Sequence, residues 1–164
     1  VFSTNGATNL KQFIVGVSNS DINFNDKTLV AVFDNDDEGS RAFRSCFKEG
    51  VEGVENIRAI KDVPDFYGVE LPKRAGFKGD CTIENMYPPE KFQSSMKMAM
   101  ERKVADASFF NKSVNDVYKD LKDCAKDSLC SAAKSFDDGD FEHFKELFNT
   151  LDVIHQIGRV EKVN

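Results

Sequence analysis

Apolar and polar positions change period several times along the chain, and each change predicts an element. Ala7 to Val17 carries Leu10, Phe13, Ile14 and Val17 at helical spacing, with Thr8 or Asn9 near its start. Ahead of it, Val1-Phe2-Ser3 reads as the end of a strand and Thr4-Asn5-Gly6 as a turn. Ser18 to Lys27 is polar and turn-rich. Thr28-Leu29-Val30-Ala31-Val32-Phe33 is mostly apolar and rich in β-branching, the pattern of a buried parallel strand. It runs straight into the acidic stretch Asp34-Asn35-Asp36-Asp37-Glu38-Gly39. An amphipathic helix is predicted over Glu38–Lys48, ending at Gly50, and another strand over Val54–Ile60. Strand, helix, strand, helix, strand is the signature of an α/β sheet of parallel strands joined by right-handed crossovers.

The second half has a different texture. Lys61 to Asp80 contains Pro64, Gly68, Pro72, Gly76 and Gly79 and reads as a loop region folded over the sheet edge. Cys81-Thr82-Ile83-Glu84 reads as a short extended piece closed by a turn at Tyr87-Pro88-Pro89. Three helices are predicted beyond it, over Glu90–Lys103, Val114–Ser135 and Phe141–Ile157. The last carries Phe141, Phe144, Leu147, Phe148, Leu151 and Ile154 as one apolar stripe, read as core. The expected architecture is therefore an α/β core over residues 1–88, a parallel sheet flanked by helices. A mainly helical portion of the same domain follows over 89–164.

Composition narrows the classes. The 164 residues, 40% hydrophobic and 30% charged, suit one soluble globular domain rather than a disordered chain. No apolar run approaches membrane-spanning length, so no membrane partner is expected. The chain opens at Val1, without Met, in what reads as the tail of a strand, which is expected of a fragment. A net charge of −6 disfavours tight stand-alone DNA binding, yet leaves room for a nucleic-acid enzyme whose bound cations supply positive charge. Cys46, Cys81, Cys124 and Cys130 have no CxxC spacing, and His143 and His155 are the two histidines, so a zinc site is not expected. Cys46 and Cys130 read as small core residues on apolar helix faces, and the setting as reduced and cytoplasmic.

The chemistry lies in the acidic stretch. Open α/β sheets place their ligands at the carboxyl ends of strands. Several carboxylates gathered there repel one another unless a cation meets them. Hard oxygen donors suit Mg²⁺ or Mn²⁺, whereas helix capping by itself accounts for one acid and not the set. An EF-hand does not fit, because the twelfth position from Asp34 is Ser45 and a strand precedes the loop.

Asp34-Asn35-Asp36-Asp37-Glu38-Gly39 resembles, position for position, the Asp-x-Asp-x-x-Gly motif that follows an apolar strand in Toprim domains. Those domains are shared by topoisomerases, primases and the overcoming-lysogenization-defect nucleases. The chain looks most like the C-terminal Toprim portion of ATPase-linked endonucleases. Asn5-Gly6-Ala7-Thr8-Asn9-Leu10, Thr82-Ile83-Glu84-Asn85-Met86-Tyr87-Pro88 and Lys126-Asp127-Ser128-Leu129-Cys130 resemble further segments of that group. The resemblance implies phosphodiester hydrolysis of DNA or RNA, DNA first, dependent on Mg²⁺ or Mn²⁺. Asp34 and Asp36 would hold the metal, Glu84 would help hold a second, and Lys126 would face a phosphate oxygen. It also implies an ATPase domain or subunit as partner. One departure stands out. Toprim domains carry a Glu on their first strand, and residues 1–33 contain none, so that strand is expected to lie before Val1. A competing expectation is a non-catalytic Toprim-like scaffold or interaction module. A third is a phosphatase resembling the haloacid dehalogenases with Asp34 as nucleophile, although their motif continues Gly-Thr where this chain has Asp37-Glu38.

Overall fold

A computed structural model describes residues 6–20, 27–61, 63–74 and 76–160. The expected strand end at Val1-Phe2-Ser3, its turn at Thr4-Asn5, and residues 21–26 of the polar segment lie outside the described residues. The chain divides into two compact units, one of residues 1–82 with 145–164 and one of residues 83–144. The class is α/β with a helical C-terminal region, and the last helix groups with the sheet rather than with the helices before it.

In the sheet unit, helix α1 (Ala7–Ser18) is followed by β1 (Leu29–Phe33), α2 (Asp37–Cys46), β2 (Glu49–Val51), β3 (Val54–Ala59) and β4 (Phe66–Glu70). Helix α5 (Lys145–Val160) completes it. The sheet is mixed, in the order β1-β4-β3-β2. β1 and β4 are parallel, with Leu29 opposite Phe66 and Phe33 opposite Glu70, while β4–β3 and β3–β2 are antiparallel. Parallel pairing is thus confined to the two strands that frame the acidic turn.

The segment expected to be a loop, Lys61 to Asp80, contains β4, the strand between β1 and β3. Its glycine has a packing reason. A Cβ at Gly68 would stand 2.5 Å from the Phe47 ring, so the strand keeps a glycine where an aromatic side chain lies against its backbone. Phe66 through Val69 are all buried, the continuous pattern of a strand covered on both faces. β1 differs from its expected burial on both faces. Ala31 and Phe33 are buried, whereas Val30 and Val32 are 36% and 39% exposed.

The core on one face of the sheet joins Ile14 and Val17 of α1, Phe43 of α2, Phe47 just beyond it, and Ala31, Phe33 and Phe66 of the strands. Four of these are phenylalanines in mutual contact, Phe33–Phe43 at 5.7 Å and Phe47–Phe66 at 5.5 Å between ring centroids. Each buried phenylalanine contributes about 2 kcal/mol by area. Phe13, expected on the apolar stripe of α1, is 46% exposed. β3 meets α5 through Asn56, whose side-chain amide donates to Thr150 at 3.5 Å and to the Glu70 carbonyl at 3.3 Å.

The helical unit is built from α3 (Pro89–Val104) and α4 (Val114–Ala132), which pack on each other. Small buried residues, Ser95 and Ala99 on α3 and Ala125 and Ser128 on α4, let the two backbones approach. Pro89 at the first turn starts α3, and the Ser113 hydroxyl starts α4 by accepting from the Asp116 N–H at 3.2 Å. Tyr87, Phe136, Phe141 and Phe144 form an aromatic cluster, with Lys91 Nζ 4.6 Å from the Phe136 ring centre and 2.9 Å from Asp140. The stripe expected as one helix is therefore divided. Phe141 and Phe144 sit on a 3₁₀ helix (Asp138–Phe144) in this cluster, and Leu147 and Ile154 are buried in α5 of the sheet unit. Cys130, expected in the core, is exposed, whereas Cys46 is partly buried.

Candidate functional site

The acidic stretch leaves β1 at its carboxyl end and is fixed by backbone geometry before any side chain acts. Asn35 exchanges backbone hydrogen bonds with Cys81, donating at 2.7 Å and accepting at 2.8 Å, and its side-chain amide donates to the Leu71 carbonyl at 3.0 Å. Asp36 is the N-cap of α2. Its Oδ1 accepts the Gly39 N–H at 2.7 Å, and its carbonyl accepts the Ser40 N–H at 2.9 Å. Asp37 and Glu38 occupy the exposed first turn, where the positive end of the helix dipole favours them.

Gly39 is required by close approach rather than by an unusual φ. A Cβ there would lie 2.1 Å from the Asp34 carbonyl oxygen and 3.1 Å from Asp36 Oδ1. The motif glycine thus lets the first turn of α2 press against the backbone of Asp34. Asp34 and Asp36 are both partly buried on this turn. The cap bond uses only Oδ1 of Asp36, so its second carboxylate oxygen is not spent on the cap.

Sequence reasoning missed Glu70, because it fell in the segment read as a loop. It stands at the carboxyl end of β4, next to β1 in parallel register, and its Oε1 accepts from the Ser40 hydroxyl on the first turn of α2. The signal was present in Phe66-Tyr67-Gly68-Val69-Glu70-Leu71, an apolar run closed by one acid in the manner of Thr28–Asp34. The carboxyl edge of the parallel pair thus carries acids from two strands. Among the described residues no group of three or more His, Cys, Asp or Glu is placed to hold a metal ion. The donor set is of the one-or-two-carboxylate kind, which fits Mg²⁺ or Mn²⁺ completed by water and substrate phosphate and does not fit a dedicated protein cage.

The other two expected site residues meet each other within the helical unit. Glu84 lies on a 3₁₀ turn (Ile83–Met86) rather than on the extended piece the sequence indicates, and is 8% exposed. Lys126 of α4 donates to its Oε1 at 2.7 Å. A buried carboxylate needs such a partner, since isolated burial of the charge is costly. Tyr87, beside this pair, has its hydroxyl pKa raised by burial first, then by the negative charge of Cys130 and of Glu84. No protein-family model, no curated protein and no solved structure matches the chain.

Proposed function

We propose that the sheet unit is a Toprim-like, Mg²⁺- or Mn²⁺-dependent nuclease domain that hydrolyses phosphodiester bonds, of DNA first and RNA second. The observation that carries the reading is the acidic turn itself: two partly buried carboxylates at the carboxyl end of a parallel strand, locked by a glycine that no other residue could replace without displacing the Asp34 carbonyl. Asp34 and Asp36 would hold the cation. When bound, it would supply a water of lowered pKa and neutralise charge on the scissile phosphate. Asp36 also fixes the start of α2, and Ser40 holds Glu70 at the border of the turn. The resemblance gives Glu84 to a second cation and Lys126 to a phosphate oxygen, and here Lys126 pairs with Oε1 of Glu84. A reducing, cytoplasmic setting and an ATPase domain or subunit as partner belong to the same proposal.

One observation favours the second reading, a non-catalytic scaffold. The cap, the first-turn acids and the Glu84–Lys126 pair give Asp36, Asp37, Glu38 and Glu84 a structural role. Calorimetry with Mn²⁺ separates the two. Asn caps a helix as well as Asp does, so Asp36→Asn keeps α2 while removing the charge. Binding by the parent chain that disappears in Asp34→Asn and Asp36→Asn supports the metal site, and cleavage of plasmid DNA is then assayed. Equal binding in all three chains, or none in any, overturns it in favour of the scaffold.

A further inference from the structure

The sheet unit holds two open grooves of opposite charge. One, of about 500 Å³, has Glu49, Glu52 and Asp65 in a partly apolar wall and, among the described residues, no cation. The other, of about 270 Å³, lies between α1 and α2 and has no acid among the described residues of its wall. Lys11 reaches it from α1, Lys48 from just beyond α2, and Lys61 from just beyond β3, with Ile14, Val15 and Ile60 as the apolar part. Among the described residues these three lysines form no ion pair, whereas Lys91, Lys103, Lys112 and Lys126 all do.

The charge exceeds what the fold needs. α1 ends at Ser18 and α2 at Cys46, both in the groove wall, so two helix C-termini face it. Each carries about half a negative charge, roughly one in all, against three ammonium groups. Counted over the described residues, a surplus of about two positive charges is left over a groove in a chain of net charge −6. The Ser18 and Ser45 hydroxyls donate to the Ile14 and Ala42 carbonyls at 2.8 and 2.9 Å, which leaves the ammonium groups as the main donors to a ligand.

We propose that this groove seats backbone phosphates of a single nucleic-acid strand. The proposal rests on the phosphodiesterase reading, because the acidic turn and the groove stand at opposite ends of α2. The ten residues of that helix span about 15 Å, roughly four phosphates at B-form spacing. Three cations from three separate elements around an open groove match a row of phosphates better than one compact anion, and the apolar wall suits the sugars between them.

The test is fluorescence anisotropy of a labelled oligonucleotide of about 12 nucleotides, titrated with the full chain at several salt concentrations. Three phosphate contacts predict a log–log salt slope of about −2. The triple variant Lys11→Gln, Lys48→Gln, Lys61→Gln is expected to bind at least about tenfold more weakly and to lose most of that slope. Lys73→Gln with Lys78→Gln, outside the groove wall, stays within about twofold. Circular dichroism checks the fold. If the triple variant unfolds, Lys11→Gln on the exposed surface of α1 carries the test, with a slope loss of about 0.7. Parent-like binding by the lysine variants, no oligonucleotide binding by the parent chain, or equal competition by inorganic phosphate each overturns the proposal. Mn²⁺ calorimetry on the triple variant keeps the two readings apart. Lysine-dependent strand binding in a chain without Mn²⁺ affinity upholds the groove and removes the metal site, and the converse removes only the groove.

Discussion

The acidic turn of the sheet unit and the Glu84–Lys126 pair of the helical unit treat carboxylates in opposite ways. On the turn, negative charge is met by backbone: the Gly39 N–H on Asp36, and the helix dipole beneath Asp37 and Glu38. In the helical unit a nearly buried carboxylate is met by one full opposite charge at 2.7 Å. Partial charges from backbone leave a carboxylate its net charge and some of its oxygen lone pairs, so a cation can still be attracted. A lysine cancels the charge outright. The comparison teaches that an acid is a candidate ligand to the extent that its neighbours leave its charge uncompensated, and on that measure Asp36, met by a backbone N–H, outranks Glu84, met by a full charge.

The sharpest way to break the comparison is at Gly39. Gly39→Ala forces a Cβ onto the Asp34 carbonyl and is expected to cost about 3 kcal/mol in urea unfolding, with loss of Mn²⁺ binding. An unaltered midpoint would show that the turn is not under that constraint. Next comes the pair. Lys126→Met removes the full positive charge facing Glu84 and is expected to cost about 2 kcal/mol, less than a fully buried pair because the Lys126 side chain is 36% exposed. Glu84→Gln, which removes the charge needing a partner, should cost about half as much, and the reverse order would contradict the burial argument.

Asp36 then sharpens the contrast. Asp36→Ala loses the cap and should cost about 1 kcal/mol, while Asp36→Asn should be nearly neutral to stability and differ only in cation affinity. The smallest effect is expected from Tyr87. Its hydroxyl pKa is raised in the folded state, so the folded chain holds that proton more tightly than the unfolded one. Stability is therefore full below the ordinary tyrosine range near pH 10 and falls as pH rises through the folded value. Tyr87→Phe should flatten the alkaline arm of the melting curve and leave neutral pH unchanged.

Local pattern alone determined the limits of three helices and the acidic turn, although the N-cap of α1 is Gly6 rather than Thr8 or Asn9. Ala7–Ser18, Pro89–Val104 and Val114–Ala132 fall within a few residues of their predicted limits, because helix periodicity and capping are properties of neighbours in sequence. β4 was not legible. Its Gly68 and flanking prolines read as loop chemistry until Phe47, twenty-one positions earlier, is seen against the glycine. Glu70 was missed for the same reason, and the lysine groove is assembled from three elements separated by up to fifty positions. The Phe141–Ile154 stripe looked continuous, yet its halves belong to different units. Sequence thus fixed which residues carry charge and which turn gathers them at a strand end, since both are local. Which strand stands beside that turn, and which charge is cancelled by which partner, were decided by tertiary structure, because each depends on contacts between residues far apart in the chain.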